Sequence, residues 1–329
     1  MDHAIVTGGA GFIGSHLVDH LLSTGWRVTV VDNFDSFYDA AIKRRNVFRH
    51  LRNPSYRLLE IDIRDAEQFN RIPLGPGDVM VHLAARAGVR PSIDDPLLCQ
   101  DVNVRGTHNL LEFCRHHGIR QFVFASSSSV YGVNKRVPWA EDDAPLPISP
   151  YASTKLSGEF LGHVYSHLFG LRFVGLRFFT VYGPRQRPDL AIRKFAQLML
   201  EGKPVPIFGD GSTSRDYTHV DDIVTGIRAA MDYDASEYEI INLGNNRTVG
   251  LLEMAQLLAA ELGVSPTWKW CPMQAGDVPR TCADISKAEQ LLGYRPATTF
   301  EDGVRSFIRW LHEESSLRKR SEVGTAFVA

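Results

Sequence analysis

The sequence has little of several features that mark particular classes of protein. Only 4 of its 329 residues are cysteines, Cys99, Cys114, Cys271 and Cys282, and no two of them show C-x-x-C spacing. Lysine and arginine (36) nearly balance aspartate and glutamate (38), so the formal net charge is only -2. No apolar run approaches the roughly 18 residues of a membrane span. We therefore expect reduced thiols, no metal site, no nucleic-acid partner and no membrane insertion.

We expect no targeting segment in the first residues of the sequence. A strand-like run, AIVT, starts at Ala4 and leads directly into the glycine-rich TGGAGFIG. A secretory signal needs a basic stretch followed by about 7 to 15 apolar residues. We therefore expect a cytoplasmic protein.

Short apolar runs alternate with longer amphipathic stretches in the first half of the chain. The runs are AIVT, RVTVVD, YRLLEID, DVMVHLA, QFVFASS and RFVGLRFF, and helical segments are predicted over 12–24, 38–52, 65–72, 97–117 and 151–169. Nearly continuous apolar strands are typical of a parallel sheet that helices cover on both faces. The pattern predicts an α/β protein with a doubly wound parallel sheet of the Rossmann type.

The later sequence predicts a second, smaller region. Gly- and Pro-rich turns such as GKPVPIFGDGS interrupt shorter elements, but EIINLG looks like a further buried strand that returns to the first domain. The polar, aperiodic end of the chain is predicted to be a flexible tail. The predicted division is a Rossmann domain over 1–180 with a returning segment near 219–263, an interleaved substrate domain over 181–218 and 264–314, and a tail over 315–329.

A cofactor site is predicted where the first strand ends. Gly8, Gly11 and Gly14 follow that strand and precede a predicted helix. Glycines there allow a tight turn and a close approach to a diphosphate, which the helix N-terminus attracts. Asp32 ends the second strand, where a carboxylate accepts ribose hydroxyls and repels a 2′-phosphate. This carboxylate favours NAD over NADP. Asp62 is either a contact to the adenine or a simple turn residue.

A catalytic set is predicted beside that site. Tyr151 and Lys155 are four residues apart at the start of a predicted helix, so they share one helical face. A neighbouring ammonium favours the phenolate of a tyrosine, whose pKa is otherwise about 10. Ser127 lies in the run FASSSSVYG at the end of the fifth strand, where doubly wound folds bind their ligands.

These motifs together resemble the extended short-chain dehydrogenase/reductase family, in its nucleotide-sugar epimerase and dehydratase branch. The resemblance covers nearly the whole chain, from TGGAGFIG through HLAARAGVRPSI, SSSSVYG, YASTK, LRFFTVYGP and SRDYTHVDDI to GDVPRTCADISKA. It implies tightly held NAD, a UDP-sugar substrate and a homodimer formed by two helices of each subunit. It also implies that Tyr151 takes the proton from the sugar C4 hydroxyl, that Ser127 shares this hydrogen bond, and that Lys155 holds the nicotinamide ribose.

The resemblance and the motifs assign two sets of binding residues. Arg215 resembles the arginine that grips the diphosphate, and Asp277 the acid that accepts a ribose hydroxyl, whereas Gln274 replaces a second arginine of many relatives. The predicted cofactor contacts are Gly8, Gly11, Phe12, Ile13, Gly14, Asp32, Asn33, Asp62, Ile63, Leu83, Ala84, Ala85, Tyr151, Lys155 and Phe179. The predicted substrate contacts are Arg90, Ser128, Thr180, Arg187, Arg215 and Asp277.

One difference from relatives and one likeness to them guide the expected reaction. Family dehydratases and decarboxylases carry acidic residues before V-Y-G, where this chain has Ser128 and Ser129, so plain 4-epimerisation through a 4-keto sugar is favoured. The segment TVYGPRQRPDL resembles relatives in which an arginine matching Arg187 meets the carboxylate of UDP-glucuronate. Conversion of UDP-glucuronate to UDP-galacturonate is therefore the leading hypothesis. UDP-glucose or, because Thr281 is small, an N-acetylhexosamine remains open as substrate, and a decarboxylase, a dehydratase or a non-catalytic NAD-binding protein is a weaker alternative.

Overall fold

The computed structural model describes residues 2–75, 77–134, 136–273 and 277–326, with side chains described as far as Ser316. The strands, in chain order, are β1 His3–Thr7, β2 Arg27–Val31, β3 Tyr56–Leu59, β4 Val79–His82, β5 Gln121–Ser127, β6 Arg172–Phe178, β7 Thr180–Tyr182, β8 Val205–Phe208, β9 Ser214–His219, β10 Tyr238–Leu243, β11 Thr248–Gly250 and β12 Trp268–Cys271. The helices are α1 Phe12–Ser23, α2 Ala40–Phe48, α3 Val89–Asp94, α4 Pro96–Gln100, α5 Gly106–His117, α6 Pro150–Phe169, α7 Ala191–Leu200, α8 Val220–Asp232, α9 Leu251–Leu262, α10 Ser286–Leu292 and α11 Phe300–Ala326.

A 7-stranded parallel sheet in the order β10-β6-β5-β4-β1-β2-β3 forms the centre of the molecule. Neighbouring strand residues face opposite sides, so that Val6 joins a core under α1 and α8 while Ile5 joins a core under α5. Both cores are apolar because helices exclude water from each face of the sheet. The predicted doubly wound α/β fold is confirmed.

A third core lies among the elements that follow β6. Phe195 of α7, Ile207 of β8, Leu258 of α9 and Phe307 of α11 are buried together there. The chain then returns, because β10 pairs with β6 along its whole length, from Tyr238 to Leu243. The residue-by-residue domain boundaries stay a prediction.

Some predicted elements differ from the observed ones. The segment 97–117 is divided, since Asp101–Arg105 forms a π-helical turn that directs Asn103 inward to Arg86 and Thr154. A tail was expected from Ser315, whereas the backbone of α11 is helical through Ala326, in a stretch without proline. The last residues, 327–329, lie outside the described chain. No helix within the described residues is long and apolar enough to cross a membrane.

Candidate active site

A cavity of about 490 Å³ opens at the carboxyl edge of the central sheet. β1 is flanked there by β2 on one side and β4 on the other, and such a reversal of strand order is the usual ligand site of an open parallel sheet. Every residue predicted to contact the cofactor lines this cavity. It is also lined by Ser127, Ser128, Thr180 and Arg187.

The glycine turn brings the start of α1 to the cavity. Gly8 has a positive φ of 71°, and the Gly11 amide donates to its carbonyl at 3.0 Å. A Cβ atom at Gly14 would lie 2.2 Å from the Gly8 carbonyl oxygen, so only glycine permits this approach. The first amides of α1, from Phe12 onward, have no partners within the helix and attract negative charge. The turn therefore fits the diphosphate of a dinucleotide.

Asp32 is held at the end of β2 by backbone amides. Its carboxylate accepts from Ala10 at 3.2 Å and from Phe34 at 2.9 Å. Burial raises the pKa of Asp32, while nearby Lys43 opposes the shift. The fixed, buried carboxylate suits recognition of ribose hydroxyls.

Asp62 lines the same end of the cavity but has protein partners. Its carboxylate accepts from Asn33 at 3.0 Å and from the Arg64 guanidinium at 2.7 Å. The bond from Arg64 lowers the pKa of Asp62 to about 2. In the structure Asp62 thus links the segments that follow β2 and β3.

Tyr151 and Lys155 lie in the first turns of α6, and Ser127 ends β5. Ser149 caps the helix by accepting from the Ala152 amide at 3.2 Å, which fixes where α6 begins. The Lys155 ammonium donates to the carbonyl of Ala125 at 2.7 Å and lies 5.8 Å from the centre of the Tyr151 ring. The structure therefore brings the predicted catalytic set together.

The surroundings shift the ionisation of both groups. Burial raises the pKa of Tyr151, whereas the nearby hydroxyl of Ser127 and the positive charge of Arg187 lower it. Burial lowers the pKa of Lys155 to about 8. Arg187 therefore also favours the Tyr151 phenolate, a role that the sequence analysis had not assigned to it.

Arg187 reaches the cavity with half of its guanidinium engaged. Nε and Nη2 donate to the Asp189 carboxylate at 3.0 and 2.8 Å, and the guanidinium lies 5.3 Å from the centre of the Phe37 ring. Burial lowers the pKa of Arg187, but the ion pair with Asp189 outweighs this and raises it overall. Among the described residues Nη1 has no hydrogen-bond partner. A charged edge is therefore available to a ligand.

The remaining predicted substrate residues lie outside the cavity lining. Arg90 is exposed in α3, with its guanidinium 5.6 Å from the centre of the Phe208 ring. Arg215 and Asp277, both assigned to the nucleotide, form an ion pair with each other. Gln274 lies outside the described residues.

Sequence reasoning missed several residues that line the cavity. Lys43 donates to the Asp35 carbonyl at 2.9 Å and lies 4.8 Å from the centre of the Tyr38 ring. Arg86 donates to the Asp35 carboxylate at 2.6 Å. The signal for Lys43 was the charged and aromatic run DNFDSFYDAAIK, which starts with Asp32 at a strand end.

A dinucleotide-type sheet whose strand ends meet a Ser, Tyr and Lys set defines the class of short-chain dehydrogenases and reductases. The chain matches the family described as GDP-mannose 4,6 dehydratase over residues 5–307, and it belongs to this family of epimerases and dehydratases. The family predicted from the motifs is confirmed.

Similar proteins include a UDP-glucuronate 4-epimerase from Thermodesulfobacterium geofontis, 37% identical over 98% of this chain and 100% of that protein. The crystal structure of UDP-glucuronic acid 4-epimerase from Bacillus cereus with UDP-glucuronic acid and NAD has a TM-score of 0.88, with 38% identity over 94% of this chain and 99% of that one. The structure of UDP-glucose 4-epimerase with UDP-glucose from Thermotoga maritima has a TM-score of 0.86, with 35% identity over 95% of this chain and 99% of that one.

Proposed function

We propose that this protein is a UDP-glucuronate 4-epimerase, which interconverts UDP-glucuronate and UDP-galacturonate. The observation that carries the choice of substrate is Arg187, which presents a charged guanidinium edge to the cavity that Tyr151 also lines. The prediction of an NAD-dependent epimerase, with NAD as cofactor, is confirmed by the relatives and solved neighbours.

The residues that would hold NAD in this chain are those whose positions in the cavity are described above. The amides at the start of α1 would bind the diphosphate, Asp32 the adenosine ribose, and Lys155 the nicotinamide ribose. The chemistry that NAD supplies when bound is reversible hydride transfer at the sugar C4, together with a positive ring that favours the Tyr151 phenolate.

Proton transfer falls to the side chains of the catalytic set. Tyr151 removes the proton of the C4 hydroxyl and returns it after the 4-keto sugar has turned over in the cavity. Ser127, whose hydroxyl lines the cavity with Tyr151, shares the bond to the C4 oxygen. Each turnover returns both the hydride and the proton to the sugar, so the side chains end in their original protonation and no net oxidation of the sugar occurs.

Recognition of a uronic acid follows from the two edges of Arg187. Asp189 holds the Nε edge, which fixes the direction of the guanidinium. The Nη1 side can then donate to the sugar carboxylate, with Ser128 and Thr180 as neighbours in the cavity lining. A neutral hexose would leave this donor without its charged acceptor.

UDP-glucose is the second candidate substrate. Asp189 already compensates the charge of Arg187, which weakens the advantage of an anionic sugar. The likeness to the Thermotoga maritima enzyme is nearly as close as that to the Bacillus cereus enzyme.

The test is to supply purified protein with UDP-glucuronate and, separately, UDP-glucose, and to resolve the products by proton NMR. Wild type should convert UDP-glucuronate to UDP-galacturonate. Arg187→Ala should lower kcat/KM for UDP-glucuronate by about 100-fold, the scale of a lost charged hydrogen bond, and leave inhibition by UDP unchanged. Arg52→Ala, at an exposed site, is the matched control. Selective conversion of UDP-glucose would overturn the choice of substrate.

The predicted homodimer is also proposed, on the basis of one apolar stripe. Phe160, Val164 and Leu168 follow at intervals of four along α6 and are 61%, 45% and 61% exposed. Leu97 of the adjoining α4 is 78% exposed. A second copy of the chain would remove this stripe from water. A cytoplasmic location stays a prediction.

A further inference from the structure

The loop over 183–190 carries Arg187 from β7 towards the cavity. It contains an unusual backbone conformation, since Arg185 has a φ of 61° although it is not a glycine. A side chain with a Cβ pays about 1–2 kcal/mol for the left-handed region, so its surroundings must hold it there. The contacts of Arg185 identify those surroundings.

The first contact is an ion pair that crosses from the loop to the cofactor-binding half of the molecule. Arg185 Nη2 donates to the Asp19 carboxylate of α1 at 2.5 Å, and the two side chains are only 16% and 19% exposed. Asp19 also accepts from Arg49 and from His50, the latter at 2.6 Å. Asp19 therefore accepts from three side chains, of which only Arg185 belongs to the loop.

The second contact joins the same helix to the loop backbone. His16 Nε2 lies 2.9 Å from the carbonyl oxygen of Pro184, and its Nδ1 lies 3.3 Å from Arg185 Nη2. The two bonds require Nε2–H as donor and Nδ1 as acceptor, which is the neutral ring. Burial lowers the pKa of His16 to about 3, so this state persists at neutral pH.

α1 is the helix whose first turn lines the cofactor end of the cavity. The loop is thus fastened to that helix by two neighbouring residues, and Arg187 comes two positions later. Since a helix is rigid, the attachment sets the position of the Arg187 guanidinium relative to the catalytic tyrosine.

We propose that Arg185 is a positioning residue for substrate recognition. We call the contacts of Arg185 and Pro184 with Asp19 and His16 the clasp. The clasp holds the loop so that Arg187 meets the sugar carboxylate. The clasp acts on the uronic-acid end of the substrate and not on its nucleotide. This inference rests on the proposed function.

The experiment compares three variants of the holoenzyme. Arg185→Asn tolerates a left-handed φ but is too short to reach Asp19, and Arg185→Lys retains the charge. Arg49→Met is the matched control, because it removes another arginine from Asp19 without touching the loop. The readouts are KM and kcat for UDP-glucuronate, the inhibition constant of UDP, and hydrogen exchange of the amides over 183–190.

Arg185→Asn should raise KM for UDP-glucuronate about tenfold or more, because a displacement of the Arg187 guanidinium by about 1 Å can weaken substrate recognition by this amount. The inhibition constant of UDP should change less than about twofold. Arg185→Lys should recover part of the loss, and Arg49→Met should resemble wild type. Amide exchange over 183–190 should rise most in Arg185→Asn, less in Arg185→Lys, and not in Arg49→Met.

An unchanged KM or unchanged amide exchange in Arg185→Asn would overturn the clasp. So would an equal loss of UDP and UDP-glucuronate binding, because it would show general damage to the fold. Wild-type protein that binds UDP but does not epimerise UDP-glucuronate would instead overturn the proposed function, and the exchange measurement would still report on the clasp.

Discussion

Glu159 and Arg177 form a buried ion pair directly behind the catalytic residues. Arg177 donates to both carboxylate oxygens, at 2.9 and 2.8 Å, and the side chains of Arg177 and Glu159 are 5% and 3% exposed. Glu159 also accepts from Ser126 at 2.5 Å, and it lies one turn of α6 after Lys155. The pair therefore joins the end of β5, with its catalytic Ser127, to the helix that carries the lysine.

Removing one partner of this ion pair should lower the stability of the folded protein. Glu159→Gln leaves the Arg177 charge buried without compensation, so we expect a loss of about 3–5 kcal/mol in the free energy of unfolding. Replacing both residues, Glu159→Leu with Arg177→Met, should cost less than Glu159→Gln alone, because no uncompensated charge remains. Urea unfolding measures all three proteins. A double variant less stable than the single one would contradict the interpretation.

Tyr151→Phe should lower kcat by at least about 100-fold, because the proton of the C4 hydroxyl loses its acceptor. The cofactor should remain bound, which absorbance of the purified protein and mass spectrometry under native conditions can check. Tyr233→Phe, which removes a hydroxyl bonded only to Ser236 among the described partners, is the control and should leave kcat unchanged. Normal turnover by Tyr151→Phe would show that another group is the base.

The buried ammonium of Lys155 predicts a particular dependence of stability on pH. Its pKa is lowered by burial from 10.5 to about 8. Between these values the unfolded chain binds a proton that the folded protein does not, so folding becomes more favourable as pH rises from 8 to 10.5. The change amounts to about 3 kcal/mol at most.

The variant Lys155→Met isolates this effect in urea unfolding at several pH values. The stability of Lys155→Met relative to wild type should fall as pH rises through that window. A difference that stays constant with pH would mean that folding does not lower the pKa of Lys155.

Gly14→Ala tests the glycine turn. Its Cβ would lie 2.2 Å from a backbone oxygen, so α1 must move away from Gly8, at a cost of about 1–3 kcal/mol in stability and with loss of NAD binding. Gly250→Ala is the control, because its Cβ would meet nothing closer than 3.8 Å. Thermal unfolding and cofactor content measure both. NAD retention by Gly14→Ala would contradict the assigned role.

Leu168→Glu tests the proposed dimer. A charge on the exposed stripe of α6 should prevent its burial, so light scattering after size exclusion should give the mass of one chain. Leu51→Glu places the same charge on a leucine that is 52% exposed elsewhere and should leave the mass unchanged. A dimer that survives Leu168→Glu would assign the interface to another surface.

The sequence was informative where the chemistry depends on neighbouring residues. The strands of the central sheet, the turn from Gly8 to Gly14 and the helix with Tyr151 and Lys155 were all predicted close to their observed positions. Residues brought in by tertiary structure were missed. Arg185 and Asp19, for example, are 166 residues apart in the chain, and nothing in their local sequence signals the contact. The pairing of Arg215 with Asp277 was likewise hidden by a separation of 62 residues.

The return of β10 to the sheet also has a consequence for biosynthesis. β6 is an interior strand only because β10 covers its open side, and β10 is made after β7, α7 and the other elements that separate the two. Until then, a growing chain on the ribosome presents β6 as a free edge, which is open to pairing with other chains. Fragments that end before Tyr238 should therefore aggregate during expression, and the two halves of this enzyme should not be obtainable by a single cut.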